Sequence, residues 1–489
     1  MQKTGLEKGN TGQMSDTDEP GAADGADTVA GLARELGRRV AALRYDDLPD
    51  AAIHWARVGL LDTIGVTLAG AREDAARLAA RALDTQDGPA LVLGTRRHVG
   101  VLDAALINGT ASHALDFDDC NNTMGGHPSA PVLSALLPLA QQLNSNGRDV
   151  VLAYVAGFEV ECKLGLAVNL HHYTKGWHPT ATLGTFGAAA ACARLLGLDG
   201  DATATALALA ASFASGLKAN FGTMAKPLHV GHCARNGMYA ARLARLGCTA
   251  NRAAVFEHKQ GFLDVFNGPG TYDARRALDA WARPLDIVEP GIAIKQYPCC
   301  GSTHPALDAM LQLARRHHPR PDDVTRVDAW IHTRRLAHTN RPRPDSPLAA
   351  KFSLQYVLAR ALLDGQVGVA DFEADSYTQP AVRALLDRIH VAAYDQAEPA
   401  IFPAANHFGG RVRVTLRDGR VLESQVDQPL GRTSDYPLPP DLLRAKFALC
   451  AGRALREDAV EAIADTIECI ETLPRMEALM ALIAGAAQE

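Results

Sequence analysis

Three dipeptides share one arrangement: His127-Pro128, His178-Pro179 and His304-Pro305 each precede a run of residues with helical periodicity. Proline is well tolerated in the first turn of a helix because the N–H it lacks would have had no partner there. Each imidazole therefore stands at a helix mouth, where unpaired backbone N–H groups and the positive end of the helix dipole favour anions. The same field should depress a histidine pKa and keep the ring neutral, ready to accept a proton. The chemistry this predicts is proton transfer beside a bound carboxylate. As plain markers of helix starts the three dipeptides would carry no chemistry, and their recurrence is what favours function.

The segment His113-Ala114-Leu115-Asp116-Phe117-Asp118-Asp119 sets His113 and Asp116 about one helical turn apart and crowds three carboxylates into four residues. Crowded carboxylates repel, so they call for cations, a metal or water around them, and a solvated helix end meets that need as well as a charged pocket does. The spacing is not that of a calcium loop, and no metal is expected. Lys226-Pro227-Leu228-His229-Val230-Gly231-His232 brings a cation and two imidazoles together just ahead of a helical run, a further anion-binding mouth. Lys295 precedes Tyr297-Pro298-Cys299-Cys300-Gly301, and Tyr356 follows Ser353-Leu354-Gln355. Lone lysines and tyrosines are ordinarily surface or packing residues. The dinucleotide, phosphate-loop, acyl-transfer and zinc-hydrolase motifs are all absent, which leaves acid–base chemistry.

The elements that must hold these residues are mostly helical. From Val29 to about Ala282, apolar residues recur at helical spacing, as in Ala51 to Leu68, Ser129 to Leu143 and Val150 to Leu166. Ala181 to Leu196 and Ala204 to Leu217 carry small residues nearly all round, which predicts close burial at the centre of a helical domain. Near Ile292 prolines begin to punctuate shorter elements. Arg326 to Thr333 alternates as a strand, and Arg411 to Leu416 with Val421 to Val426 flank Arg417-Asp418-Gly419-Arg420 as a hairpin. Helical patterns at Pro305 to His317, Lys351 to Leu363 and Gln379 to Ile389 lie between them, and Leu442 to Leu455 and Ala459 to Ile470 are helical again. The expected plan is mainly α with an α+β lid: a disordered tail over residues 1–27, a helical domain from 28–291 and 431–489, and the smaller domain inserted at 292–430.

With 489 residues and 47% hydrophobic content, the chain has enough apolar matter for at least one large core. Its net charge of −6 is small and its Lys and Arg are scattered, which argues against nucleic acid. Charges interrupt the Ala-rich stretches well short of a membrane span, so no membrane association is expected. The nine cysteines show no metal-ligand spacing and the tail has no apolar leader core, which fits a reducing cytoplasm.

Taken in order, His113 to Asp119, Gly126-His127-Pro128-Ser129, Gly157-Phe158-Glu159, Gly176-Trp177-His178-Pro179, Lys226 to His229, Gly261-Phe262, Lys295-Gln296-Tyr297-Pro298 and Ser353 to Tyr356 resemble the MmgE/PrpD family. That family includes 2-methylcitrate dehydratase, cis-aconitate decarboxylase and iminodisuccinate epimerase. The likeness covers nearly everything after residue 28. It implies an enzyme that needs no cofactor, a dimer with the active site where a helical domain meets its lid, and a small polycarboxylate as substrate. It also implies active-site roles for Asp116, His127, His178, Lys226, Lys295 and Tyr356. Cys120 stands where animal decarboxylases carry threonine, and the stretch Cys120 to Gly126 is one residue longer than theirs, two departures that fall in the expected pocket wall. On this resemblance His127 and His178 form the acid–base pair, with Asp116 orienting one imidazole. Lys226 and Lys295 clamp carboxylates, His229 and Cys120 line the pocket, and Tyr356 closes from the lid. Dehydration of a 2-methylcitrate-like hydroxy acid ranks first, decarboxylation or epimerisation next, and a non-catalytic polycarboxylate binder last.

Overall fold

The computed structural model describes residues 31–396, 400–403 and 405–488. The tail expected over residues 1–27 lies outside the described residues. The molecule is mainly helical with a small sheet region. Its apolar side chains gather into two principal cores. One draws on residues 32–294 together with 438–487, and the other on residues 297–416. Among the described residues no helix is long and apolar enough to cross a membrane.

The helical part is built on the helices Val101–Ala114, Ser129–Leu143, Gly147–Val168, Pro179–Leu195 and Ala225–Arg245, the first and last of which meet the others through a smaller apolar cluster of their own. Asn146 caps the third of these by accepting from the Asp149 N–H, and Pro179 opens the fourth. Small residues set their spacing. A Cβ on Gly109 would sit 2.8 Å from the Gly231 Cα, so the helices Val101–Ala114 and Ala225–Arg245 touch backbone to backbone. They run antiparallel, which brings the C-terminus of one beside the first turn of the other. The chain expected to stay helical to Leu217 leaves its helix at Phe213, where Ala214 turns extended with a ψ of 132°, and Gly216 follows with a φ of 125° that no helix accommodates. A two-stranded ribbon, Asp87–Leu91 with His98–Val99, also interrupts the helical part.

In the second core, Val324–Ile331 pairs antiparallel with Gly410–Leu416, which pairs in turn with Val421–Val426 through the expected turn. The helix expected from Gln379 to Ile389 covers only Pro380–Leu386. Ile389–Ala393 is instead a strand running parallel to Val327–Ile331, with Ile389 buried and His390 exposed. The edge of the sheet offered ladder partners that a short helix lacks. The helices His304–His317 and Leu354–Asp364 pack against this sheet.

Candidate active site

The site grows from the end of the helix Val101–Ala114. A helix C-terminus leaves carbonyl oxygens without intrahelical partners and carries partial negative charge. Here three successive carbonyls are taken by three buried lysines from distant parts of the chain. The Lys351 ammonium donates to the Leu115 carbonyl at 2.7 Å, Lys295 to that of Asp116 at 2.6 Å, and Lys446 to that of Phe117 at 2.8 Å. Asp116 itself has a φ of 53°, a left-handed conformation that aspartate tolerates better than most residues, and it turns the chain so that its carboxylate leaves the helix axis. That carboxylate is gripped by Lys226, from the first turn of the antiparallel helix, and lies 3.2 Å from Lys295. Lys295 is fixed in turn by the reciprocal backbone pair between Cys120 and Ala293.

Asp118 faces the histidines. Its carboxylate meets His113 Nδ1 at 2.7 Å and His127 Nδ1 at 3.2 Å. His127 Nε2 then points toward Asp116, 3.9 Å away and beyond hydrogen-bond reach. His178, at the mouth of its helix, lies 5.6 Å from the His113 ring and shares an edge with His229, their Nδ1 atoms 3.3 Å apart. The Nε2 atoms of His113 and His178 are buried without partners. Asp119 points the other way, accepting from the Ser129 N–H and hydroxyl and so capping the helix Ser129–Leu143.

These surroundings split the histidines by charge. Burial penalises the imidazolium of His127, but Asp118 and Cys120 outweigh it and lift the pKa to about 10. His178 is held well below its ordinary value by burial and by His113 and Lys226. His113 falls to about 3, again by burial, which Asp118 only partly offsets. Asp116 and Asp118 stay ionised despite their burial because cations surround them, whereas burial away from cations pushes Asp119 upward. Cys120, opposed by burial but drawn down by His127 and Lys295, comes to about 7. One charged and two neutral imidazoles thus share a pocket with Lys226 and Lys295, an arrangement suited to giving and taking protons beside carboxylates.

Of the residues singled out from sequence, Asp116, Cys120, His127, His178, Lys226, His229 and Lys295 come together here. Tyr356 does not join them: its hydroxyl donates to the Asp371 carbonyl, Arg360 donates to it at 3.1 Å, and its ring packs on Phe372 in the smaller core. Lys351 reaches the site from that side in its place. The neutral His127 expected at a helix mouth is corrected by its contact with Asp118, and Asp116 serves the lysines more than any imidazole. Lys226 lies inside its helix, not ahead of it. Sequence reading missed the roles of Asp118, Lys351 and Lys446, although Asp118 stood in the crowded segment.

His113, Asp116, Asp118 and His127 each offer a ligand atom, all within 4.8 Å of one another. The donor set still fits a dication poorly. Asp116 is already neutralised by two ammonium groups, and a metal would have to sit against both of them and the His127 cation.

Such a helical scaffold sets lysines and histidines beside a buried carboxylate pair. The family model of the MmgE/PrpD N-terminal domain matches residues 34–275, and that of the C-terminal domain residues 297–472. The chain belongs to the MmgE/PrpD family, whose named relatives are lyases. It is 32% identical to the cis-aconitate decarboxylase of Mus musculus over 78% of either chain. To that of Homo sapiens it is 31% identical over 91% of this chain and 92% of the other. The 2-methylcitrate dehydratase of Cupriavidus necator matches at 26% over 83% of this chain and 88% of its own. The order expected from sequence, dehydratase before decarboxylase, is therefore reversed.

Proposed function

We propose that this chain decarboxylates an unsaturated tricarboxylate of the cis-aconitate kind. The observation that carries the reading is the His127 imidazolium, fixed by Asp118 with its Nε2–H directed into a site holding two lysines. Loss of carbon dioxide from an allylic carboxylate leaves an electron pair that becomes the new double bond. The old double bond shifts its pair to the far carbon, and that carbon needs one proton. His127 supplies it from Nε2, and solvent restores it afterwards. Lys226 and Lys295 hold the carboxylate on the carbon that takes the proton and offset the charge that builds during the shift. No base is required in this sequence, which suits neutral His178 and His113 to steering the substrate through their free Nε2 atoms.

Dehydration would need a base and an acid together, and His178 with His127 would serve; the dehydratase matches support it as the second reading. Incubation with cis-aconitate in deuterium oxide decides between them. Release of carbon dioxide with one deuterium gained by the product is expected. Water loss from 2-methylcitrate with no carbon dioxide from cis-aconitate would sink the first reading. The rate should survive dialysis against a strong chelator, and a loss reversed by a divalent ion would reassign the four clustered donors as ligands.

The nine free thiols suit the cytoplasm. We place the working form as a homodimer joined through the helical part. Light scattering should return twice the chain mass of 52.0 kDa, and a monomer at micromolar concentration would count against it.

A further inference from the structure

Beside the catalytic cluster lies a narrow pocket of about 10 Å³, the room of one water or one carboxylate oxygen. Cys120, Lys295, Gly301, His304 and Arg432 line it. Arg432 is brought there by a close approach. Gly431 has a φ of 79°, and a Cβ on it would meet the Ile294 carbonyl oxygen at 2.5 Å, so only glycine lets the loop lie against the strand of chain that carries Lys295. The neighbouring Leu430 N–H donates to Asp308 at 3.1 Å, which pins the loop from its other side.

The charge in this corner is unbalanced. Arg432 donates through Nη2 to the Asn122 side-chain oxygen, a neutral acceptor, while its Nε is shut off from solvent without any partner. Arg335 donates through Nε to the His407 carbonyl at 2.7 Å. Both guanidinium groups lie over the Phe408 ring, each 4.7 Å from its centroid, so two like charges are held close together. Among the described residues no carboxylate pairs with either. Burial and the neighbouring Arg432 draw the Arg335 pKa down to about 9, the mark of a cation short of counter-charge. His304, neutral by burial, adds no negative charge. At the catalytic cluster itself, Lys226, Lys295 and His127 are nearly balanced by Asp116, Asp118 and the Cys120 thiol, whose pKa of about 7 adds part of a negative charge. The two arginines add the excess that a further substrate carboxylate would neutralise.

We propose that Arg432, backed by Arg335, seats the central carboxylate of the substrate, the one that a dicarboxylate of the same chain lacks, and so selects tricarboxylates over dicarboxylates. A guanidinium offers a planar fork that matches a carboxylate, and the Asn122 oxygen, a neutral acceptor, engages Arg432 only through Nη2. Lys295 contacts both the pocket and Asp116, which sets this carboxylate within one small molecule's length of the proton donor. The assignment rests on reading the cluster as a polycarboxylate site.

Titration calorimetry with two unreactive probes tests it. Propane-1,2,3-tricarboxylate and glutarate share a carbon chain and differ by one carboxylate. The wild type should bind the tricarboxylate more tightly. Arg432→Met should weaken tricarboxylate binding by about ten- to a hundred-fold, the loss of a charge-assisted contact, and leave glutarate within about two-fold. Arg432→Lys should recover part of the preference, and Arg335→Met should shift it in the same direction. Glutarate binding doubles as a check on folding. Should Arg432→Met fail to fold, the ratio in Arg432→Lys and Arg335→Met decides. Unchanged preference in folded variants overturns the arginine seat while leaving the site intact, whereas a wild type that binds neither probe overturns the polycarboxylate site itself.

Discussion

Lys226→Ala and His127→Gln should fail in different ways. Glutamine keeps a polar group of similar reach in place of His127 but cannot donate a proton from an imidazolium, so turnover should fall by about 10²–10⁴-fold, the span of general acid–base catalysis. Binding of an unreactive polycarboxylate should weaken far less. Lys226 is different: its ammonium offsets charge on Asp116 and on the substrate alike, so Lys226→Ala removes a charge-assisted contact and leaves Asp116 with Lys295 alone. Analogue affinity should then drop by roughly 1.5–3 kcal/mol, about one to two powers of ten. Because KM equals a dissociation constant only when chemistry is slow, affinity belongs to calorimetry and turnover to a separate assay. Two folded variants that both keep full activity would return these residues to a structural role.

What could be read from the sequence follows how local its cause is. His127-Pro128 and His178-Pro179 mark helix starts because proline's missing N–H costs nothing there, and the helices begin at Ser129 and Pro179. The hairpin from Gly410 to Val426 follows from alternation and a turn, both local. The lysine ring around Leu115, Asp116 and Phe117 is not local at all. Lys351 and Lys446 lie 236 and 329 positions from the carbonyls they reach, and a single buried lysine looks like any other in sequence. Tyr356 fails for the same reason: its neighbours Asp371 and Arg360 are fixed by how the smaller core closes.

The charge on His127 is hidden from the sequence because the helix-mouth effect is local and the larger one is not. A helix N-terminus contributes about 0.3–1 kcal/mol at ordinary exposure. A carboxylate in contact shifts a buried group by about 1–3 pKa units, each worth about 1.36 kcal/mol. Which of the three clustered carboxylates would meet His127 depended on the left-handed turn at Asp116, and no count of acidic residues announces that turn.

Asp118→Asn should therefore move the pH profile more than any other single change of this size. In the wild type, Asp118 is the carboxylate that keeps His127 charged against burial, and the proton donor should persist until the pH nears its pKa of about 10. The folded pKa is raised above the ordinary 6.5 for histidine, so the donor form fades as pH rises through the folded value and not before. Asparagine occupies nearly the same space but carries no charge. Burial then acts on His127 with little but Cys120 against it, and the pKa should fall below neutrality. At pH 7 turnover should drop by about 10²-fold or more, with activity recovering toward acid as His127 regains its proton. Asp118 also meets His113 at 2.7 Å, so some loss could come from misplaced rings; that loss would be the same at every pH. A pH–rate profile separates the two. An alkaline limb shifted by several units toward acid supports Asp118 as the group that charges His127, while a uniformly lowered profile with its limb unmoved would assign Asp118 to positioning alone.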